Sequence, residues 1–181
     1  MATARQACEI LDATLRLPDG TARWHADRLR GVGHLASTQG RPTQATSNDV
    51  ALILLSLMLG SPATSAADMV PAYAALRPIE GGPSLGDALA GYIDRPDDFF
   101  ELSVNTISPG ATLTFGGEDH GMRVATYATE DYQPRPAFDR VAIIGADTMT
   151  RLSSAISAAP PVRVGPRRVG DRYRRLEYAI Q

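Results

Sequence analysis

Residues 50–59 read VALILLSLML, ten positions at which Ser56 is the one polar side chain. A helix of this composition has no polar face to turn towards water, so it must be covered on every side. Ser47, Asn48 and Asp49 stand just before it and are cap-forming residue types, so the spacing predicts a helix opening at Ser47. The run is far too short to cross a bilayer, which takes about 20 apolar residues, and no membrane partner is expected. A domain of about sixty residues cannot easily wrap such a helix unaided. The helix is therefore expected to pack against both the N-terminal segment and the chain beyond residue 60, or against a second subunit. A homo-oligomer is expected on that ground.

Upstream of it, residues 2–16 carry apolar positions at helical spacing, with Ala7, Ile10, Leu11 and Leu15 inward. Cys8 lies in the same stripe as a small buried hydrophobe. Pro18-Asp19-Gly20 is a turn signal that runs directly into a second helical segment. There Ala22, His25, Ala26 and Leu29 share one face, and Gly20, Arg23, Trp24, Asp27 and Arg28 spread over the other. Gly31 and Gly33 are able to take the left-handed conformation that ends a helix. Two short helices joined by a tight turn, the second with small buried residues and polar groups outward, form a helix-turn-helix, whose second helix is slim enough for a major groove.

The residues themselves point the same way. Leu17-Pro18-x-x-Thr21-Ala22-Arg23-Trp24-His25, followed by Leu29-Arg30-x-x-Gly33-x-Leu35, resembles the recognition helix of bacterial and phage winged or MerR-like helix-turn-helix domains. The resemblance covers the N-terminal third of the chain at most. It departs from the compact motif in one place, where a preceding helix over residues 4–11 is followed by a longer connection, residues 12–16. It implies double-stranded DNA as the partner, with Thr21, Arg23, His25, Arg28 and Arg30 at the contact. Residues 36–46 are either a plain loop or, if the domain is winged, the wing, from which Arg41 would reach phosphate or the minor groove. Arg23 is the candidate for guanine readout, since arginine addresses that base bidentately. Such a protein would be a transcriptional regulator or a phage DNA-recognition or packaging factor. The other reading is a helical hairpin whose arginines only solvate it, in a non-catalytic phage virion or assembly protein acting through protein–protein contacts. Trp24 lies about 140° round the helix from Leu29. It is expected to pack against the helix of residues 47–60 or against the sheet, or else to stand exposed for a partner.

Charge is segregated along the chain. All eighteen basic residues are arginine, and the net charge of −2 hides three unequal parts. Residues 1–60 carry +1, residues 61–160 carry −7 and residues 161–181 carry +4. A phosphate backbone is attracted to the two ends and repelled by the middle. In the basic end, Arg163, Arg167, Arg168, Arg172, Arg174 and Arg175 are candidate secondary phosphate contacts, with Tyr173 available for stacking. Leu176, Tyr178 and Ile180 alternate as a final strand would, and a plain solvated tail is the third option. The expected division is a helix-turn-helix domain over 1–62, an acidic α+β domain over 63–160 and a basic segment over 161–181. The acidic domain would dimerise, bind a protein partner or sense a ligand.

Within that middle part, residues 65–76 and 84–93 read as helices and residues 77–83 as a Pro/Gly loop. From Phe99 the period shifts towards two, predicting strands near residues 100–104, 112–115, 122–127 and 141–144, then a helix from Asp147 to about Ser157. The fold class expected is α+β, a helical N-terminal unit followed by a small antiparallel sheet with a closing helix.

Catalytic chemistry is not expected. Gly82-Pro83-Ser84-Leu85-Gly86 matches a nucleophile-elbow pattern, but no buried strand precedes Ser84, and Ser84 with Asp87 fits a helix cap instead. His25, His34 and His120 are the only histidines, none paired at i, i+4, so neither metal nor cofactor is expected. Glu118-Asp119-His120 falls in a glycine-flanked hairpin tip. One cysteine and an N-terminus without an apolar signal core fit a reducing cytoplasm.

Overall fold

A computed structural model describes residues 2–36, 44–60, 62–117, 121–129 and 140–161. Its elements are α1 (Ala4–Leu15), α2 (Thr21–Gly31), α3 (Ser47–Leu59), α4 (Ala63–Ala74), β1 (Arg77–Pro78), α5 (Leu85–Asp94), β2 (Phe99–Asn105), β3 (Gly110–Gly116), β4 (Met122–Ala128), β5 (Val141–Gly145) and α6 (Ala146–Ser157). Helices come first and an antiparallel sheet comes after them, so the fold is α+β.

The apolar helix is the spine. Val50, Ala51, Ile53, Leu54, Leu55, Ser56 and Leu59 of α3 are all buried. α2 packs on one part of it, α4 and α5 on others, and β2 and β5 meet it as well. Most of the covering that the sequence demands is supplied within one chain, with Leu52, Leu57 and Met58 left half-buried, and a single hydrophobic core runs from Ala2 to Leu152. The cap of α3 sits one residue earlier than the sequence suggests. Thr46 is the N-cap, in a capping box with Asp49, and Ser47 is inside the helix, where its hydroxyl donates to Asp94 of α5. Asn48 takes no part in the cap.

The sheet has strand order β1-β4-β3-β2-β5. Phe99, Leu102, Val104, Leu113, Tyr127 and Ile144 are buried on its inner face, and α3 and α6 lie against β2 and β5. Tyr73 of α4 is fully buried and donates its hydroxyl to the Asn105 carbonyl at 2.6 Å, tying the helices to the end of β2. Burial pushes the Tyr73 hydroxyl up to about 12, so it stays a donor at every ordinary pH. Residues 77–83 read as loop in the sequence, yet their first two form β1. Arg77 pairs with Ala128 and Pro78 with Tyr127, at the sheet edge, where a proline without an N–H is tolerated. The fold places Ser84 as the N-cap of α5, where its hydroxyl accepts from the Asp87 N–H. Among the described residues no helix is long and apolar enough to cross a membrane.

One core implies one cooperative transition. The single Trp24 reports on α2, while far-UV circular dichroism reports on all elements together. Their urea midpoints are expected to coincide, and Leu54→Ala should lower both together by about 2–5 kcal/mol. Two separated transitions would contradict a shared core.

Candidate nucleic-acid interface

The first helix is longer than the resemblance to compact motifs suggests. α1 runs through Leu15 and carries Asp12 within it, so the connection between the helices is residues 16–20. Arg16 closes α1 in the left-handed conformation, with φ 54°, a position seldom taken by a side-chain-bearing residue. The N-cap of α2 is Gly20, also left-handed at φ 87°, and it has no side chain with which to cap. Asp12 supplies the cap from the neighbouring helix. Its Oδ2 accepts from the Gly20 N–H at 2.8 Å and its Oδ1 from the Ala22 N–H at 2.7 Å. Asp12 is 4 % exposed and its carboxylate lies at the positive end of the α2 dipole, so both charge and hydrogen bonding fix α2 against α1.

α2 buries Ala22, His25, Ala26 and Leu29, the four residues that its periodicity selects. At its far end the Gly33 N–H donates to the Arg30 carbonyl and the His34 N–H to that of Leu29, a Schellman closure with Gly33 left-handed at φ 84°. Gly31 is the last helical residue and takes no such conformation.

His25 leaves the contact set. It is 4 % exposed, and its Nδ1 lies 2.8 Å from the Ser56 hydroxyl of α3, so it holds the two helices together and cannot meet a base. Burial pushes its pKa below the ordinary histidine value, partly offset by Asp12. Ser56 is thus the polar partner that the apolar helix keeps for α2.

The outer face of α2 carries Arg23, Trp24, Asp27 and Arg28. Asp27 Oδ1 meets Arg30 Nη1 at 2.6 Å, while Arg23 Nε stands 3.9 Å from Asp27 Oδ2. Arg30 is the more tightly held and more covered of the two arginines, whereas Arg23 is 67 % exposed and weakly engaged. Arg28 lies 6.0 Å over the Trp24 ring, which is 42 % exposed and meets His25 edge-on at 5.7 Å. Trp24 is therefore partly covered and partly open to solvent. Thr21 is half-buried, and its hydroxyl donates to the Pro18 carbonyl at 2.6 Å. The face sets two arginines and an aromatic beside one aspartate, with the half-covered Arg30 at its margin.

Beside the N-terminus of α2 is an open cleft of about 460 Å³, lined by Arg5, Cys8, Glu9, Asp12, Asp19, Gly20 and Arg23. Arg5 Nε pairs with Glu9 Oε1 at 2.8 Å, which neutralises the one against the other. Cys8 at its base is pushed up to about 11 by burial, which leaves it a thiol and a poor nucleophile. Beyond α2, the Ala45 N–H donates to the Ala2 carbonyl, and Gln44 bridges Thr3, so the chain ahead of α3 returns to the start of α1. Arg41, Arg163, Arg167, Arg168, Arg172, Arg174 and Arg175, with residues 118–120, all lie outside the described residues.

No family model, no curated protein and no solved structure matches this chain.

The cap and the buried histidine can each be tested by substitution. Asp12→Ala removes the α2 cap and leaves two N–H groups unpaired, at an expected cost of about 2 kcal/mol in urea unfolding. For His25, the folded pKa lies below the unfolded one. Its contribution is therefore complete above the unfolded value and is lost as pH falls through it towards the folded one. Stability should fall with pH from about 6.5 downward. His25→Asn, which keeps an amide near Ser56 but takes up no proton, should flatten that slope. An unchanged slope would remove His25 as its source.

Proposed function

We propose that this protein binds double-stranded DNA by laying α2 in the major groove, as a transcriptional regulator or a phage DNA-recognition or packaging factor. The observation that carries the reading is the orientation of α2: its apolar side is consumed by packing within the chain, so Arg23, Trp24 and Arg28 face outward along one exposed strip. Arg23, exposed and only loosely held by Asp27, is the base-reading candidate. Arg28, and Arg30 once released from Asp27, supply phosphate contacts, with Thr21 at the helix start and Arg41 and the basic end adding to them. The role is one of binding without catalysis, in the cytoplasm, and the acidic middle part keeps the DNA on the helical side of the molecule through its charge.

A second reading has a specific observation in its favour. A surface tryptophan stacked by an arginine, with an aspartate beside it, is the composition of a protein–protein hot spot as much as of a DNA contact. In that reading the chain is a non-catalytic virion or assembly component.

Binding to random duplex DNA over a salt series separates the two. The DNA reading expects a steep fall of affinity with salt. It also expects weaker binding and a log–log slope shallower by about 1 in Arg23→Ala/Arg28→Ala, from the one phosphate that Arg28 neutralises in the parent complex. Binding that survives the double substitution but needs residues 161–181 would move the contact to the basic end. Absence of binding at low salt would overturn the DNA reading and favour the assembly protein.

A further inference from the structure

The outer face of the sheet carries apolar side chains at its β5 edge, where Val141 is 49 % and Ile143 63 % exposed. The two edges of the sheet are built differently. β1 is two residues long and one of them is Pro78, which has no N–H to offer, so that edge is blunted. β5 has five residues, no proline and no charge, and its ladder to β2 runs without a bulge from Glu101↔Gly145 to Asn105↔Val141. Among the described residues no strand pairs with its free side. Such an edge presents a row of open N–H and C=O groups to another strand.

We propose that β5 is a dimer edge, at which two copies of this chain pair their β5 strands antiparallel about a two-fold axis at Ile143. An antiparallel strand pair is the arrangement that a two-fold axis closes on itself, so no third copy is recruited. Directly opposed residues project to the same face, which places Ile143 beside the Ile143 of the second copy. The same register sets Val141 against Gly145 and Ala142 against Ile144, a large residue against a small one at every remaining pair. Charge fits as well. Arg140 precedes the strand, and Asp147, exposed and paired with Arg151, stands after it in the first turn of α6. Antiparallel pairing brings each copy's Arg140 to the end where the other's Asp147 stands. A neutral strand flanked by opposite charges is complementary to its own reverse, which singles out a second copy over an unrelated strand. The pairing needs no DNA and stands apart from the role of α2.

Disulfide trapping tests it on the full chain in a Cys8→Ala background. Opposed residues in an antiparallel pair have Cα atoms about 4.5–5.5 Å apart, within disulfide reach. Ile143→Cys is expected to cross-link to a dimer under mild oxidation. Met122→Cys, as exposed but on β4, is expected to stay monomeric on the same gel. Sedimentation of the unmodified protein should give twice the chain mass. Ile143→Lys, whose charges would face each other across the axis, should raise the dimer dissociation constant about tenfold or more with an unchanged circular dichroism spectrum. A monomeric parent protein, equal cross-linking at Met122→Cys, or an Ile143→Lys dimer of undiminished affinity would each overturn the proposal.

Discussion

The burial of most of α3 is the constraint on which the rest of the structure depends. A segment with Ser56 as its one polar side chain has to be surrounded, and the surrounding is done by α2, α4, α5 and the inner face of the sheet. The helical part and the sheet therefore share one core, with Tyr73 as a polar pin between them. Even Ser56 is used within this arrangement. Left alone in an apolar helix it would cost a desolvated hydroxyl, and His25 of α2 satisfies it.

That contact sets the direction in which α2 faces. With His25 on Ser56, with Ala22 and Ala26 small enough for close approach, and with Asp12 gripping the first turn, the helix has one rotation open to it. Arg23, Trp24, Asp27 and Arg28 are outward because the other positions are taken by the core. Asp27 shapes what that face can do. It holds Arg30 closely and leaves Arg23 and Arg28 more available, which keeps two cations at the surface.

Most of the fold was legible because each element repeats its own period. The four buried positions of α2 stand at helical spacing, and the strands from Phe99 onward alternate in the sequence. The elements that escaped have tertiary causes. β1 is two residues with a proline, too short for any alternation, and exists only because β4 has a side to offer it. Asp12 reads as an ordinary helix residue, and its task emerges only once Gly20, eight residues on and without a side chain, is brought against it. His25 sits on the apolar stripe by spacing, and that burial rather than its chemistry decides its role; it belongs with the core and not with the contact residues. The one available signal for its partner was Ser56, a lone hydroxyl in an apolar run.

If α2 is the surface that meets DNA, as proposed, Trp24 offers the most direct view of the contact. It is the only tryptophan in the chain and lies on the outer face of that helix. Its fluorescence would be followed during titration with duplex DNA, with acrylamide quenching at each end of the titration. Docking of α2 predicts a saturable change in emission and a marked loss of quencher access at saturation. Bound DNA, detected independently by anisotropy, with Trp24 emission and quenching unaltered would contradict the claim and place the contact elsewhere on the protein.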